Sequence, residues 1–364
     1  KNPKRIKELR NDIDINNETT LNNSRRKLLS FSYKIEDISF SDIYVITLPT
    51  PINLKNSPDT KIISDSLKLI SKNIKKGAII ILESTVYPGF TEEICAPIIQ
   101  KYSKLIFNKD FYLGYSPERI NPGDKKHQLV NITKIISASN SSALSKIKYI
   151  YSKIIRAKLH IADSIKIAEA AKVIENTQRD LNIAFINELS LIFNKLNIDT
   201  FKVLEAASTK WNFMNFKPGL VGGHCIGVDP YYLTYKSIKS GINPKIILAG
   251  RKLNDQIYKS FADIILKKVS QKIKKLNNAK ILILGMTFKE NCNDIRNTKV
   301  IDLFNYIKKK VKVSHIYDPN VNKSSIRKLN LNLVKTPKNY YYDCVILAVP
   351  HKQFLQIQSK KLKK

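Results

Sequence analysis

The sequence predicts an α/β protein with two sheet-containing blocks joined by a long central helix, and three observations lead to this fold class. Short apolar runs alternate with amphipathic stretches through the first 162 residues, as in parallel sheets with helical crossovers. A stretch without glycine or proline then extends from Asp163 to Leu196. A second alternation begins near residue 275. We expect domains over residues 1–162, 163–274 and 275–364 of the 364-residue chain.

The first block contains four runs typical of buried strands, because they are short, rich in β-branched residues and bounded by turn residues. These runs are Ile43–Leu48, Ala78–Leu82, Phe111–Tyr115 and Lys134–Ser137. Between them, apolar residues at helical spacing predict helices over Thr60–Ile74 and Leu144–Ile155.

The central stretch predicts one long helix, or two nearly continuous ones, because apolar residues recur at helical spacing. These residues are Ile167, Ala171, Ile174, Leu181, Phe185, Leu189 and Ile192. A helix of this length between two α/β blocks is typical of a spine or a dimer interface. Beyond it we expect a helix over Thr200–Ala207, a loop over Thr209–Pro230 and a helical region over Lys245–Lys274.

The last block repeats the strand–helix plan. Strands are expected over Ala279–Gly285, Val311–Tyr317 and Asp343–Val349, with a helix over Thr298–Lys309. The tail from Gln358 to Lys364 is polar and basic.

The net charge of +33 first points to a nucleic-acid-binding protein. However, the basic residues are mostly lysines spread over the whole chain, which indicates compositional drift rather than a basic face. We therefore expect no nucleic-acid partner. No apolar run is long enough for a membrane span, so we also expect no membrane insertion. The four scattered cysteines indicate a reducing, cytoplasmic setting.

The strongest local signal for chemistry is Gly222-Gly-His-Cys-Ile-Gly-Val-Asp-Pro230. Glycines permit close approach of the backbone to a ligand, and a cysteine among them, beside a histidine, fits an activated thiolate. The alternative is an inert cysteine in a tight turn. Cys95, Cys292 and Cys344 lack such surroundings and are interpreted as packing residues. We expect no metal site, because the five histidines never pair at ligand spacing.

Four further segments could carry chemistry. Lys172 and Asn176 are four residues apart, so they share a helix face and could together stabilise an oxyanion, although a solvated face is the simpler interpretation. Ser116–Gly123 and Glu83–Gly89 each follow a predicted strand, where doubly wound sheets bind ligands. Glu118 is a candidate general base there. In the segment 285–296, Lys289 and Arg296 could contact phosphates.

Together these segments resemble the UDP-glucose/GDP-mannose dehydrogenase family of nucleotide-sugar 6-dehydrogenases, almost from end to end. Ser-Pro-Glu-Arg-Ile-Asn-Pro-Gly-Asp at 116–124 and Gly-Leu-Val-Gly-Gly-His-Cys-Ile-Gly-Val-Asp-Pro-Tyr-Tyr-Leu at 219–233 look like the branch that oxidises UDP-N-acetylglucosamine or UDP-N-acetylgalactosamine for surface polysaccharide, as in Vi-antigen-type pathways. UDP-glucose enzymes usually show Pro-Lys-Asp where this chain has Gly-Val-Asp. The resemblance implies two Rossmann-like, doubly wound parallel-sheet domains joined by the long helix.

The resemblance also implies a four-electron oxidation of the sugar C6 alcohol with NAD as cofactor, through a thiohemiacetal and a thioester on Cys225. In this scheme Lys172 and Asn176 hold the oxyanion. Asp229 and Thr85 position the water, and Glu118 is the base of thioester hydrolysis. The implied cofactor residues are Thr47, Pro49, Thr50, Ser84, Thr85 and Arg296. The implied substrate residues are Glu118, Arg119, Ile120, Asn121, Lys172, Asn176, Phe216, Gly219, Gly222, Phe288 and Lys289. A homodimer or higher homo-oligomer through the central helix is implied as well.

The chain departs from the family at its beginning. Members open with a strand, a Gly-x-Gly-x-x-Gly turn over the NAD pyrophosphate and an acidic residue for the ribose. Here no glycine precedes Gly77, and Lys1–Leu9 looks like the helix that follows that acidic residue. We therefore expect a first domain without its first strand and glycine loop, and a last domain incomplete at its end. The alternative function is an inactive remnant that binds a UDP-sugar or a partner subunit without catalysis.

Overall fold

A computed structural model describes residues 2–14, 28–121, 124, 126–321 and 331–355. The chain divides into two compact units, residues 1–173 and 174–364, and each unit is built around its own sheet. The predicted tail over 358–364, and Pro122 and Gly123 of the 116–124 segment, lie outside the described residues.

The first unit contains the following elements in chain order: α1 (Pro3–Arg10), β1 (Ile43–Ile46), α2 (Lys61–Ser71), β2 (Ala78–Leu82), α3 (Ala96–Ser103), β3 (Phe111–Tyr115), β4 (Lys134–Ala138), α4 (Ser141–Ile154), β5 (Leu159–Ile161) and the beginning of α5 (Ile165–Lys195). The four predicted strands are confirmed, and two of them have the predicted bounds. The prediction missed β5 and the helical segment that starts with a π-turn at Thr91–Cys95 and continues as α3.

The first sheet has the strand order β1-β2-β3-β4-β5. The strands pair in parallel, as predicted, except that β3 and β4 are antiparallel at Gly114–Ala138 and Tyr115–Ser137. The exception has a topological cause: no crossover helix lies between these two strands in the described residues, so the chain returns beside β3 in the opposite direction.

The strand β2 lies at the centre of this unit, and all five of its residues are buried. Ile79 and Ile81 pack against Ile147 and Tyr151 of α4 on one face of the sheet. The alternate residues of β2 point to the other face, which is also closed to solvent. Full burial on both faces explains why the strand reads as a continuous apolar run.

The second unit contains the rest of α5, followed by α6 (Thr200–Ala207), α7 (Asp229–Lys239), α8 (Lys245–Ser270), β6 (Lys280–Leu284), α9 (Lys299–Lys308), β7 (Val313–Tyr317), β8 (Cys344–Leu347) and a last helical turn (Lys352–Leu355). Its three described strands form a parallel sheet in the order β7-β6-β8. The core packs Ile281 and Ile283 of β6 against Phe304 of α9 and Leu266 of α8.

The helix α7 corrects the predicted loop, which extended to Pro230. The helix begins at Asp229, so Pro230 occupies its first turn, where the missing N–H of proline costs no hydrogen bond. The proline therefore starts a helix here and does not extend the loop. The predicted helix over Lys245–Lys274 is confirmed, but it ends at Ser270.

The central helix α5 is one continuous helix of 31 residues, as predicted. Several residues of the predicted apolar stripe are nevertheless exposed, namely Ile167 (51%), Ile174 (52%), Phe185 (56%) and Ile192 (46%). The buried positions of the helix include Ala168, Val173, Ala184 and Ile186. Helical spacing predicted the helix but not which of its faces packs inside a unit.

Candidate active site

Cys225 is exposed at the turn that leads into α7. Its carbonyl oxygen accepts hydrogen bonds from the backbone N–H groups of Val228 (3.0 Å) and Asp229 (2.8 Å). These bonds fix the backbone of Cys225 one turn before the helix while its side chain remains accessible. Such a position suits a thiol that must meet a ligand.

The two glycines before His224 allow this turn to contact the segment 288–298. Gly223 has φ +83°, and a Cβ atom on it would lie 2.7 Å from the ring of Phe288. A Cβ atom on Gly222 would lie 2.8 Å from the carbonyl oxygen of Asn297. The side-chain amide of Asn297 also donates to the carbonyl oxygen of Gly223 at 3.3 Å. The cysteine turn and the segment with Phe288 are thus one packed assembly within the second unit.

Asp229, whose backbone N–H bonds Cys225, also contacts Asn176. The side-chain amide of Asn176 on α5 donates to Oδ2 of Asp229 at 2.6 Å, and Asp229 is 2% exposed. Two of the predicted catalytic residues, separated by 53 positions in the sequence, are therefore in direct contact.

His224 extends this assembly to the predicted residue Arg296 through Asp294, which the sequence analysis did not single out. Its Nε2 lies 3.1 Å from Oδ2 of Asp294, without the alignment of a hydrogen bond, and its ring packs edge-on against Phe288. Arg296 donates to the Asp294 carboxylate through Nε and Nη2. Burial lowers the pKa of His224, and the nearby Arg296 adds to this. Although burial opposes its charge, hydrogen bonds from Arg296 hold the pKa of Asp294 below its usual value.

Within the second unit, a buried asparagine holds the predicted substrate loop. Asn187 on α5 accepts from the N–H of Gly219 at 2.8 Å and donates to its carbonyl oxygen at 3.0 Å. The amide of Asn187 also donates to Asn254 at 2.9 Å, and both asparagines are fully buried. Phe216 and Lys289, which were predicted to contact substrate, are both half-buried.

In the first unit, the predicted cofactor residues follow β1 and β2, two neighbouring parallel strands. Thr47 and Pro49 are exposed, and Thr50 and Thr85 are half-buried. Ser84 is buried and its hydroxyl donates to the carbonyl oxygen of Leu48 at 2.7 Å, which ties the two loops together. The carboxyl edge of a parallel sheet is where α/β domains bind nucleotides.

Glu118, the predicted base, is held by a buried lysine that the sequence analysis missed. Lys134 on β4 is 1% exposed, and its Nζ lies 3.3 Å from Oε2 of Glu118 and 3.2 Å from Oε1 of Glu83. Tyr151 donates to the same Oε1 atom of Glu83. Two backbone N–H groups, of Arg119 and Ile120, donate to the other carboxylate oxygen of Glu118 at 2.7 Å each.

The other predicted substrate residues of this segment lie beside Glu118. Arg119 donates from Nη1 to the carbonyl oxygen of Thr133 at 3.0 Å, Ile120 is 38% exposed and Asn121 is exposed. The contact of Glu118 with Lys134 has no local sequence signal, because β4 lies 16 positions away.

The first part of α5 carries two buried ionisable residues of the first unit. Lys172, a predicted oxyanion residue, is 7% exposed. Glu169 is fully buried and accepts hydrogen bonds from the N–H groups of Gly89 (2.5 Å) and Thr91 (2.8 Å) and from the Thr91 hydroxyl (2.6 Å). Burial raises the pKa of Glu169 to about 7, although these donors oppose the shift. Glu169 thus anchors the loop after β2, which includes Thr85.

Three family models match the chain in order. The NAD binding domain of the UDP-glucose/GDP-mannose dehydrogenase family matches residues 1–155, its central domain matches 166–256, and its UDP binding domain matches 282–364. The chain belongs to the UDP-glucose/GDP-mannose dehydrogenase family. The resemblance to this family is thereby confirmed. The predictions that the protein is an NAD-dependent dehydrogenase and that NAD is its cofactor are confirmed as well.

Individual members of this family are similar over the whole chain. UDP-N-acetyl-D-glucosamine 6-dehydrogenase of Salmonella typhi is 50% identical over 364 residues, which are 100% of this chain and 86% of that protein. The protein of the same name from Pseudomonas aeruginosa is 47% identical over 100% of this chain and 86% of its own length. A solved UDP-D-ManNAc dehydrogenase from Pyrococcus horikoshii has a TM-score of 0.85 and 25% identity, and the match covers 99% of this chain and 84% of that one.

The family's cofactor fits the first unit at the carboxyl edge described above. The loops after β1 and β2 offer hydroxyl groups from Thr47, Thr50 and Thr85, with the two loops fixed to each other by Ser84. These hydroxyl groups could donate hydrogen bonds to a nucleotide at this edge.

The described part of the chain contains neither a candidate membrane span nor a candidate metal cluster. No helix there is both long and apolar enough to cross a membrane. No group of three or more His, Cys, Asp or Glu side chains in it is arranged to hold a metal ion.

Proposed function

We propose that this member of the family oxidises the C6 alcohol of a UDP-N-acetylhexosamine to the uronic acid, for surface polysaccharide synthesis in the cytoplasm. The observation that carries the proposal is the exposed Cys225 in a glycine turn packed on Phe288, with Asn176 in contact with Asp229 at the end of that turn. The names of the two relatives above support the acetamido sugar, because both are called UDP-N-acetyl-D-glucosamine 6-dehydrogenases.

In this proposal Cys225 is the nucleophile. NAD, when bound, accepts a hydride in each of the two oxidations. The Cys225 sulfur adds to the C6 aldehyde, and the resulting thiohemiacetal is oxidised to a thioester. Water then releases the carboxylic acid and returns the thiol. A cysteine suits this sequence because sulfur is both a strong nucleophile and an adequate leaving group.

Lys172 and Asn176 are proposed to stabilise the oxyanion. The contact of Asn176 with Asp229 supports this role, because it fixes the orientation of the Asn176 amide before substrate arrives. The near-complete burial of Lys172 gives its charge more effect than a solvated lysine would have.

Glu118 is proposed to be the base that activates water in thioester hydrolysis, with Thr85 and Asp229 positioning that water. The contacts of Glu118 support this role: Lys134 and two backbone N–H groups hold its carboxylate in one orientation. A base with a fixed orientation loses little entropy when it accepts a proton from water.

The substrate's nucleotide is proposed to lie over the segment with Phe288 and Lys289, and its sugar along Phe216, Gly219 and Gly222. Arg119, Ile120 and Asn121 are also proposed to contact the sugar. Arg296 is proposed to reach the cofactor. The exposed position of Arg296, with 70% of its side chain accessible, supports contact with an anionic ligand.

The test is turnover of the purified chain with NAD and three sugars: UDP-N-acetylglucosamine, UDP-N-acetylgalactosamine and UDP-glucose. We expect two NADH per sugar, and a kcat/KM at least tenfold higher for an acetamido sugar than for UDP-glucose. A preference for UDP-glucose contradicts the proposed substrate. Binding of UDP-sugars without any NADH contradicts the proposed reaction and supports the alternative of a non-catalytic binding protein.

A further inference from the structure

We propose that His351 and Asp318 are positioning residues that hold the turn 286–291 in the conformation that receives the UDP of the substrate. This nucleotide turn, as we call residues 286–291, carries Phe288 and Lys289. The inference rests on the proposed function, because that function places the nucleotide at this turn. Neither His351 nor Asp318 has a role in the mechanism given above.

The two residues come from different strands and meet at one edge of the second sheet. The nucleotide turn follows β6, Asp318 follows β7, and His351 lies four residues after the end of β8. The central strand β6 pairs in parallel with both neighbours, so the three carboxyl ends lie side by side. The side chains of His351 and Asp318 are both completely buried.

Asp318 holds the beginning of the nucleotide turn. Its Oδ2 accepts hydrogen bonds from the backbone N–H groups of Met286 (2.6 Å) and Thr287 (3.3 Å). The same oxygen lies 3.0 Å from Nε2 of His351. A buried carboxylate is stable only when donors surround it, and here the turn itself supplies two of them.

His351 holds the end of the nucleotide turn. Its Nδ1 accepts the backbone N–H of Asn291 at 2.9 Å, so Nδ1 carries no proton and the ring N–H is on Nε2. That N–H points to Asp318 and, at 3.2 Å, to the hydroxyl of Thr287. The hydroxyl in turn donates to the carbonyl oxygen of Lys289 at 2.8 Å. One tautomer of one histidine therefore connects both ends and the middle of the turn.

The nucleotide turn begins where β6 comes close to the segment after β8. Gly285 has φ +87°, and a Cβ atom on it would lie 2.5 Å from Cβ of Val349 and 2.7 Å from its carbonyl oxygen. The turn therefore starts in direct contact with the segment that leads to His351. Because Phe288 packs against Gly223, displacement of the turn would also move the support of the cysteine turn.

The experiment compares variants of the full 364-residue chain. His351→Phe fills the same space but removes the hydrogen bonds of both ring nitrogens, whereas His351→Asn places an acceptor where Nδ1 stands. Thr287→Val removes one hydroxyl without changing the shape of the side chain. His315→Phe is the matched control, because His315 lies on β7 and bonds Tyr342 at 2.9 Å, without a hydrogen bond to the nucleotide turn among those of the described residues.

Two measurements are made on each variant: UDP affinity by calorimetry, and amide hydrogen exchange of peptides that cover residues 286–291. We expect His351→Phe to weaken UDP binding at least tenfold and to accelerate exchange in these peptides. His351→Asn restores most of both properties, Thr287→Val weakens binding about threefold, and His315→Phe resembles the wild type.

The outcomes separate this inference from the proposed function. Wild-type affinity and exchange in folded His351→Phe overturn the inference, as does equal weakening by the Phe and Asn variants. If His351→Phe does not fold, unchanged affinity and exchange in Thr287→Val overturn it instead. A wild-type chain that does not bind UDP contradicts the proposed function, while the exchange measurement still shows whether His351 holds the turn.

Discussion

The side-chain amide of Asn176 donates to Oδ2 of Asp229 at 2.6 Å, and this bond joins the helix α5 to the first turn of α7. We expect Asn176→Asp to place two carboxylates within contact distance at a site where Asp229 is 2% exposed. Like charges so close cannot both remain ionised without a large cost. The expected loss is about 3 kcal/mol in the free energy of unfolding near neutral pH, measured by urea denaturation.

The matched control for this variant is Asn194→Asp, at an exposed position of the same helix. We expect it to change the free energy of unfolding by less than about 1 kcal/mol. We also expect the cost of Asn176→Asp to shrink as pH falls from neutral towards about 4, because the unfolded chain then also binds the proton that the folded pair shares. Equal effects of the two variants would show that the Asn176–Asp229 bond does not matter for stability.

Cys225→Ser is expected to abolish uronic acid formation, because the serine hydroxyl cannot form the thioester. The expected loss of turnover is at least about 1,000-fold, measured as NADH formation, whereas UDP affinity changes less than about threefold. Cys344→Ala, in β8, serves as the control and retains turnover. Turnover of Cys225→Ser near the wild-type rate would be incompatible with covalent catalysis.

Gly223→Ala is expected to weaken both folding and UDP binding. The new Cβ atom would meet the Phe288 ring at 2.7 Å in a backbone conformation of φ +83°. Gly241→Ala isolates the backbone contribution, because Gly241 has φ +82° and nothing within 4 Å of the position of a Cβ atom. We expect a loss of about 1 kcal/mol for Gly241→Ala and about 3 kcal/mol for Gly223→Ala. Only Gly223→Ala should reduce UDP affinity; equal affinities would mean that Phe288 does not support the nucleotide.

Glu169 is expected to make the first unit less stable as pH rises towards 8. Burial raises its pKa from 4.5 to about 7, so the folded state binds a proton that the unfolded state has released. The stabilisation is complete below pH 4.5 and is lost as pH rises through about 7. The shift corresponds to about 3 kcal/mol.

The measurement is the urea midpoint of wild type and Glu169→Gln at pH 5 and pH 8. Because glutamine does not ionise, the wild type should lose more stability than Glu169→Gln between these two pH values. Glu205→Gln, on an exposed position of α6, is the control and should follow the wild type. Parallel pH dependence of wild type and Glu169→Gln would show that Glu169 does not titrate in this range.

The exposed apolar residues of α5 are expected to form a homodimer interface. Phe185 is 56% exposed and Ile192 is 46% exposed on this helix. We expect Phe185→Asp to convert an oligomer into monomers, because a carboxylate is costly to bury at an apolar contact. The readout is molar mass by light scattering, and Tyr149→Asp, on α4 with 64% exposure, is the control. A wild-type monomer would rule out this interface.

Local patterns predicted most of the elements, for reasons that the structure makes plain. The strands Ala78–Leu82 and Phe111–Tyr115 have the predicted bounds, because nearly every residue in them is buried. The helix α7 was missed, because the Asp229-Pro230 pair suits both a turn and a helix start. The antiparallel pairing of β3 and β4 was missed, because strand direction depends on the connection and not on the strand's own residues.

The site was predictable where its residues are close in sequence. The glycines around Cys225 and the spacing of Lys172 and Asn176 are local signals. The contact of Lys134 with Glu83 and Glu118, and that of Asp318 with His351, join different strands. A single lysine in an apolar strand, or a histidine just after one, does not indicate its partner, so these pairs appear only once the sheet order is known.

The hydrogen bond from Asn291 to His351 spans 60 positions, and this separation matters while the protein is being made. A ribosome adds about 5–20 residues per second, so Asn291 leaves the peptidyl-transferase centre about 3–12 s before His351 exists. Until then the turn with Phe288 lacks two contacts. One is the ring nitrogen of His351, which holds the end of the turn, and the other is Val349, which the turn contacts where it begins. A nascent chain therefore acquires the conformation of this turn only with its last described strand.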